Sequence, residues 1–253
     1  MFFIRCFPSI SISRCAYLYR LTFSQDGNQR ANSKWTYYQY DSLKQQGECV
    51  NKVTTANVAV HVRNFYDTYT AFRTAIGNNS NYPDDTSGYS KGNLTGSIIT
   101  VLGGSTPIWR AHYYDIKSRV TKTVENNLLS GFDITSTVYS FTDKPATVTH
   151  THTASGKTTR TEVYTYTYNH ADRVSKVEHT LNGTKVTLAD NTYDNLGRLS
   201  GKTLHGSATN KLAYAYNIRS WLTGITGTKF TQNLYYADGN NATKCYNGNL
   251  SSM

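Results

Sequence analysis

Apolar and polar residues alternate along much of this chain. Tyr164, Tyr166 and Tyr168 occupy every second position, and Leu212, Tyr214 and Tyr216 do the same. A period of two places side chains on one face of an extended strand. Each run ends in a short Asx residue, Asn169 or Asn217, and a second strand-like run follows a few residues later. The pattern therefore predicts antiparallel hairpins and an all-β chain.

The hairpins recur. "YYDIKSRVTKT" starts at Tyr113, "YTYNHADRVSKVEHT" at Tyr166, "TYDNLGRLSGKTLHG" at Thr192 and "YAYNIRSWLTGITG" at Tyr214, with a worn copy, "YYQYDSLKQQGEC", at Tyr37. Aligned on the tyrosine before Asp or Asn, the anchors are Tyr40, Tyr114, Tyr168, Tyr193 and Tyr216, at steps of 74, 54, 25 and 23 residues. The last two steps define a unit of about 20–25 residues, a length typical of repeat architectures. The longer steps are expected to hold degenerate units.

Within a unit the residue types have separable roles. Asp115, Asn169, Asp194 and Asn217 follow the tyrosine, where a short acceptor side chain can bond nearby backbone N–H groups and start a turn. Gly197, three residues after Asp194, suits a loop position of positive φ. Ser118, Asp172 and Ser220 stand at the equivalent places, so residue type alone requires positive φ only at Gly197. Arg198 and Leu199 open the return strand, and "NG", "HGS" and "TGTK" close the units.

The middle of the chain departs from this pattern. Phe65, Tyr69, Phe72 and Ile76 recur at helical spacing, which predicts a short helix within residues 64–79. The stretch after it, rich in Asx and Gly around Pro83, reads as a loop. The expected organisation is a degenerate N-terminal segment over 1–34, read as a truncated repeat, a worn repeat over 35–63, an insertion over 64–93 and a repeat region over 94–253.

Composition agrees with strands. Of 253 residues, 38% are hydrophobic, with 21 Tyr against 9 Phe and 2 Met, and Tyr and Thr favour pleated surfaces. The net charge of +10 reflects scarce acids, 16 against 26 bases, and the bases are scattered. A nucleic-acid binder gathers them on a stripe, so no specific nucleic-acid partner is expected. Cys6, Cys15, Cys49 and Cys245 form no C-x-x-C pair, which argues against structural zinc. Arg5, Pro8 and Arg14 interrupt the apolar N-terminus, against a secretory signal. No later stretch reaches the roughly 18–20 apolar residues of a membrane span.

Tyr-Asp-x-x-Gly-Arg-Leu, with Tyr-x-Tyr before it, resembles the YD repeat of the Rhs family, found also in bacterial insecticidal toxin complexes and in teneurins. Tyr193, Asp194, Gly197, Arg198 and Leu199 match the motif in full. Tyr168, Asn169 and Arg173 match with Asp172 at the glycine, Tyr114, Asp115 and Arg119 with Ser118 there, and Tyr216 and Asn217 with Trp221 at the arginine. At Tyr40 and Asp41 nothing after the Asp matches. The similarity runs roughly from residue 35 to 236. It implies a curved or spiralling sheet of hairpins, part of an Rhs-type shell that encases or presents a C-terminal toxin, secreted or at the cell surface. The implied partners are the remaining repeats and the C-terminal effector of a larger parent, of which this chain would be a fragment. No cofactor or catalytic residue is implied.

Other chemistry is thin. His150 and His152 share one face of a strand, but a metal site needs a third ligand. "SGKTTR" at 155–160 lacks the first glycine of a phosphate loop. "GGS" at 103–105 lacks the flanks of a nucleophile elbow. Asp115 and Asp194 occupy repeat turns, so they serve geometry rather than a unique catalytic step. Rows of tyrosine such as Tyr164 and Tyr166 leave one alternative, a cell-surface carbohydrate-binding module that uses ring faces.

Overall fold

A computed structural model describes residues 12–16, 20–25, 27–31, 36–40, 46–50, 60–100, 104, 106–238 and 243–253. The chain forms two compact units, one of residues 1–136 with 151–159, the other of 137–150 with 160–253. Unit 1 contains β1 (Ile12–Ala16), β2 (Arg20–Gln25), β3 (Thr36–Tyr40), β4 (Gln46–Val50), β5 (Val60–Tyr66), β6 (Leu94–Thr100), β7 (Pro107–Tyr114) and β8 (Val120–Asn126). The chain passes between the units within β9 (Phe132–Tyr139) and β10 (Pro145–His152). Unit 2 holds β11 (Arg160–Tyr168), β12 (Val174–Leu181), β13 (Thr184–Tyr193), β14 (Leu199–Leu204), β15 (Lys211–Tyr216), β16 (Leu222–Gly227) and β17 (Thr231–Asn233). Among the described residues helix is confined to α1 (Gly27–Ala31), α2 (Thr70–Ala75) and a 3-10 turn at Ala208–Asn210. The fold is all-β, and within each unit strands pair antiparallel with their sequence neighbours, as in β5 to β8 and β11 to β17.

One register rule runs through both units. Tyr40 pairs with Gln46, Tyr66 with Leu94, Tyr114 with Val120, Tyr168 with Val174, Tyr193 with Leu199 and Tyr216 with Leu222. The ladder slips immediately before each of these tyrosines. The repeat tyrosine is thus the last paired residue before a corner, and the corner loop is five residues long everywhere except at Tyr66, where residues 67–93 loop out. The corner of the worn copy, 41–45, lies outside the described residues.

That long corner makes the hydrophobic core of unit 1. The helix expected within 64–79 is shorter, α2 at Thr70–Ala75, because β5 takes up Phe65 and Tyr66 through pairing with β6. Tyr69, Phe72, Ile76 and Tyr82 from the loop are buried against Ala111, Tyr113 and Val124, with Phe65, Ile98, Trp109, Phe132 and Ile134 around them. Tyr69 stacks on Tyr113 at 4.9 Å between ring centres, and Phe72 meets Phe65 and Tyr82 edge-on. The polar ends are satisfied: Tyr69 donates to the carbonyl of His112, Tyr82 to that of Trp109, and Tyr113 to that of Pro83. Gly96 lies beneath Phe72, where an added Cβ would stand 2.5 Å from the ring; only glycine allows that approach. In unit 2, Tyr236 alone among the described large apolar side chains is buried.

Candidate functional site

The corner is the recurring polar constellation, and its geometry follows from one acceptor. At Asp194 the backbone N–H bonds the carbonyl of Arg198 at 2.9 Å, and the N–H of Gly197 returns to the Asp194 carbonyl at 2.9 Å. Oδ1 of Asp194 then accepts the N–H groups of Leu196 and Arg198 at 3.0 and 2.9 Å. Asp115 does the same for Lys117 and Arg119, Asn169 for Ala171 and Arg173, and Asn217 for Arg219 and Trp221. Two backbone N–H groups converge on one oxygen, so the short acceptor fixes the turn. The fourth residue has positive φ in each case: 58° at Ser118, 58° at Asp172, 82° at Gly197 and 61° at Ser220. A tight turn followed by a left-handed residue is a bulged hairpin connection, which accounts for the slip before each tyrosine.

Asp and Asn differ at the second atom. Oδ2 of Asp115 accepts Nε of Arg119 at 2.8 Å, and Oδ2 of Asp194 accepts Nε of Arg198 at 2.7 Å. Asn169 has no second acceptor to offer, and Nε of Arg173 is left buried without a hydrogen-bond partner. The Arg119 bonds hold the Asp115 carboxyl below the usual carboxylate range. At Asp194 desolvation pushes upward, but the bonds from Arg198 outweigh it and the net shift is down.

Two further corners escaped the sequence reading. Ser140 donates its N–H to the carbonyl of Lys144 at 2.7 Å, its carbonyl accepts the N–H of Asp143 at 3.1 Å, and its hydroxyl accepts the N–H of Lys144 at 3.2 Å. Asp143 carries the positive φ, 64°. Tyr139 therefore stands at a repeat tyrosine position, splitting the 54-residue step into 25 and 29. The other is Tyr66–Asp67, whose corner is the long loop already described. At the opposite end of its hairpins, between β8 and β9, Asn127 repeats the device: Oδ1 accepts the N–H groups of Leu129 and Gly131, with Ser130 at φ 55°.

The tyrosine and the arginine act between repeats. Tyr114 donates its hydroxyl to the carbonyl of Leu94, Tyr168 to Pro145, Tyr193 to Val174, Tyr216 to Leu199 and Tyr236 to Leu222, all at 2.7–2.9 Å. The acceptor is in every case the first residue after the preceding corner. Burial accordingly raises the hydroxyl pKa of Tyr114, Tyr168 and Tyr216. Over the rings sit the cations of the preceding corner: Lys144 over Tyr168 at 5.4 Å, Arg173 over Tyr193 at 5.1 Å and Arg198 over Tyr216 at 4.7 Å. Trp221, at the arginine place, instead packs its ring 4.9 Å from Tyr236. The same cations reach the next corner. Lys144 Nζ bonds the carbonyl of Asp172, Arg173 lies on Gly197, and Arg198 Nη1 donates to Asn217 O and Ser220 Oγ at 3.2 and 3.3 Å.

The remaining candidates are local. His152 pairs with Asp133 at 2.5 Å. Residues 155–160 lead into strand β11 rather than a helix. Tyr164 and Tyr166 are half-buried, and Tyr164 lies 4.7 Å from the His179 ring. Gly103 and Ser105 lie outside the described residues. Among the described residues no group of three or more His, Cys, Asp or Glu could hold a metal ion, and no helix is long and apolar enough to cross a membrane.

No family model matches the chain, and no curated protein matches it. Among solved structures it is similar to TcdB2-TccC3-TEV, at 10% identity and a TM-score of 0.29 over 92% of this chain. It is also similar to TcdB2-TccC3, at 12% identity and a TM-score of 0.27 over 90%. The chain spans 13% and 17% of the length of those chains. Likeness at that level carries no argument about activity.

Proposed function

We propose that the chain is a non-catalytic wall segment of a YD-repeat shell of the Rhs type, which encases or presents a C-terminal effector outside the cell or at its surface. The observation that supports this reading is the use of the motif's polar groups in architecture. Oδ1 of the Asp or Asn closes the turn, the tyrosine hydroxyl is bonded to the previous repeat, and the corner cation covers the next repeat's ring. A catalytic Asp, Tyr or Arg would have to leave one of these partners. Stacked units that each complete their neighbour suit an extended wall.

The experiment is protease protection in the intact parent protein. The effector segment downstream of the repeats should resist proteinase K there and be degraded when expressed alone. Equal degradation in both settings would overturn the reading.

A further inference from the structure

The corners of unit 2 carry apolar side chains that the turn does not use. Contacts between successive corners, from Lys144 to Asp172, Arg173 to Gly197 and Arg198 to Asn217 and Ser220, set 140–144, 169–173, 194–198 and 217–221 in one row along the ends of the strands. At the tips of this row Phe141 is 96% exposed, Leu196 73% and Ile218 99%, with His170 and Ala171 at the tip between Phe141 and Leu196. Each turn is closed by a side-chain oxygen of its first residue and by backbone groups, so neither packing nor turn geometry accounts for three large apolar residues there. The turns at the opposite ends of the strands, Asn182-Gly183, 205–210 and 228–230, are polar, and the one large exposed apolar side chain among them is Phe230, at 50%. Exposed apolar groups gathered on one edge mark an interaction surface.

Spacing and charge decide what this row meets. Neighbouring corners are two strands apart, about 10 Å, so Phe141 stands about 20 Å from Leu196. Separate tips of this kind do not make the contiguous apolar centre of a protein interface. The interfacial layer of a bilayer takes each tip independently, to a depth of about 5–10 Å. The row is also positive: Lys144, Arg173, Arg198 and Arg219 outnumber Asp143, Asp172 and Asp194, and Arg219 is exposed beside Ile218. Unit 2 as a whole holds 11 Lys and Arg against 7 Asp and Glu. We propose that the corner row of unit 2 docks on an anionic lipid surface, with Phe141, Leu196 and Ile218 entering the headgroup layer and the corner cations facing its phosphates. A few side chains and a few charges give reversible attachment. The docking goes beyond the wall reading and holds whether or not an effector is enclosed.

Vesicle flotation of the full chain tests it. Wild type should rise with vesicles of phosphatidylcholine containing a minority of phosphatidylserine, and rise less with phosphatidylcholine alone or at high salt. Phe141→Ser and Ile218→Ser, at positions so exposed that circular dichroism should not change, should each lower the partition coefficient about tenfold or more, the change that matches burial of one such side chain. Phe230→Ser, at the opposite ends of the strands, should leave it unchanged. A chain that stays at the bottom of the gradient with phosphatidylserine vesicles would overturn the proposal. So would flotation undiminished by the two serines, which would mean adsorption through net charge alone. A chain that ignores vesicles but whose sedimentation coefficient depends on Phe141 and Ile218 would overturn it too, by putting protein on the row in place of lipid.

Discussion

Gly197 is held by two independent constraints, and Gly197→Ala separates them. Its φ of 82° costs an L-residue about 1–2 kcal/mol. An added Cβ would also stand 1.8 Å from Nη1 of Arg173, so the guanidinium must leave the face of Tyr193, where it sits 5.1 Å from the ring centre. A cation over a partly exposed ring contributes about 0.5–1 kcal/mol. The substitution should therefore destabilise unit 2 by about 1.5–3 kcal/mol, read as a lower urea midpoint at unchanged slope in far-UV circular dichroism. In an Arg173→Ala background only the backbone part remains, and the cost should fall to about 1–2 kcal/mol. Wild-type stability for Gly197→Ala would refute the turn assignment. An equal loss in both backgrounds would refute the contact between corners.

Asn169→Asp should stabilise the chain by up to about 1 kcal/mol, because a second carboxylate oxygen gives the orphaned Nε of Arg173 the partner that Arg198 has; thermal melts report it. Tyr216→Phe removes one hydroxyl and leaves the Leu199 carbonyl without that bond, a loss of about 1–2 kcal/mol in urea unfolding. Phe72→Ala empties a fully buried site and should cost about 3–5 kcal/mol, with new tryptic cleavage inside residues 67–93. Asp115 and Asp194 have lowered pKa values in the fold. Their contribution is therefore present above the unfolded value near 3.8 and is lost as pH falls through the folded value. Melting temperature should drop below about pH 4, less steeply in Asp194→Asn.

The corner was legible where its residues keep their types. Asp115, Asn169, Asp194 and Asn217 announce an acceptor before a turn, and the structure puts all four to that use. Ser140 was not legible because a hydroxyl replaces the carboxylate or amide and Pro145 follows in place of an aliphatic residue. The available signal was spacing, with Tyr139 standing 25 residues after Tyr114 and Asp143 and Lys144 at the glycine and arginine places. Tyr66–Asp67 carried the motif's first two residues, but its return strand begins only at Leu94. The tyrosine–carbonyl and arginine–tyrosine contacts join residues of successive repeats, and no single unit encodes them. Residues 79–93 look like a loop by their Asx and Gly content, yet Tyr82 among them reaches the core of unit 1; one large ring outweighs a polar neighbourhood.

The pairing of Tyr66 with Leu94 shows that a corner tolerates 27 residues where its fellows hold five, with the same ladder slip and the same flanking strands. Corners are thus natural grafting ports. Because the ladder closes with the same pairing whether five or 27 residues intervene, foreign segments can be spliced there while the flanking strands keep their register. An array built on this plan can acquire new surfaces one corner at a time.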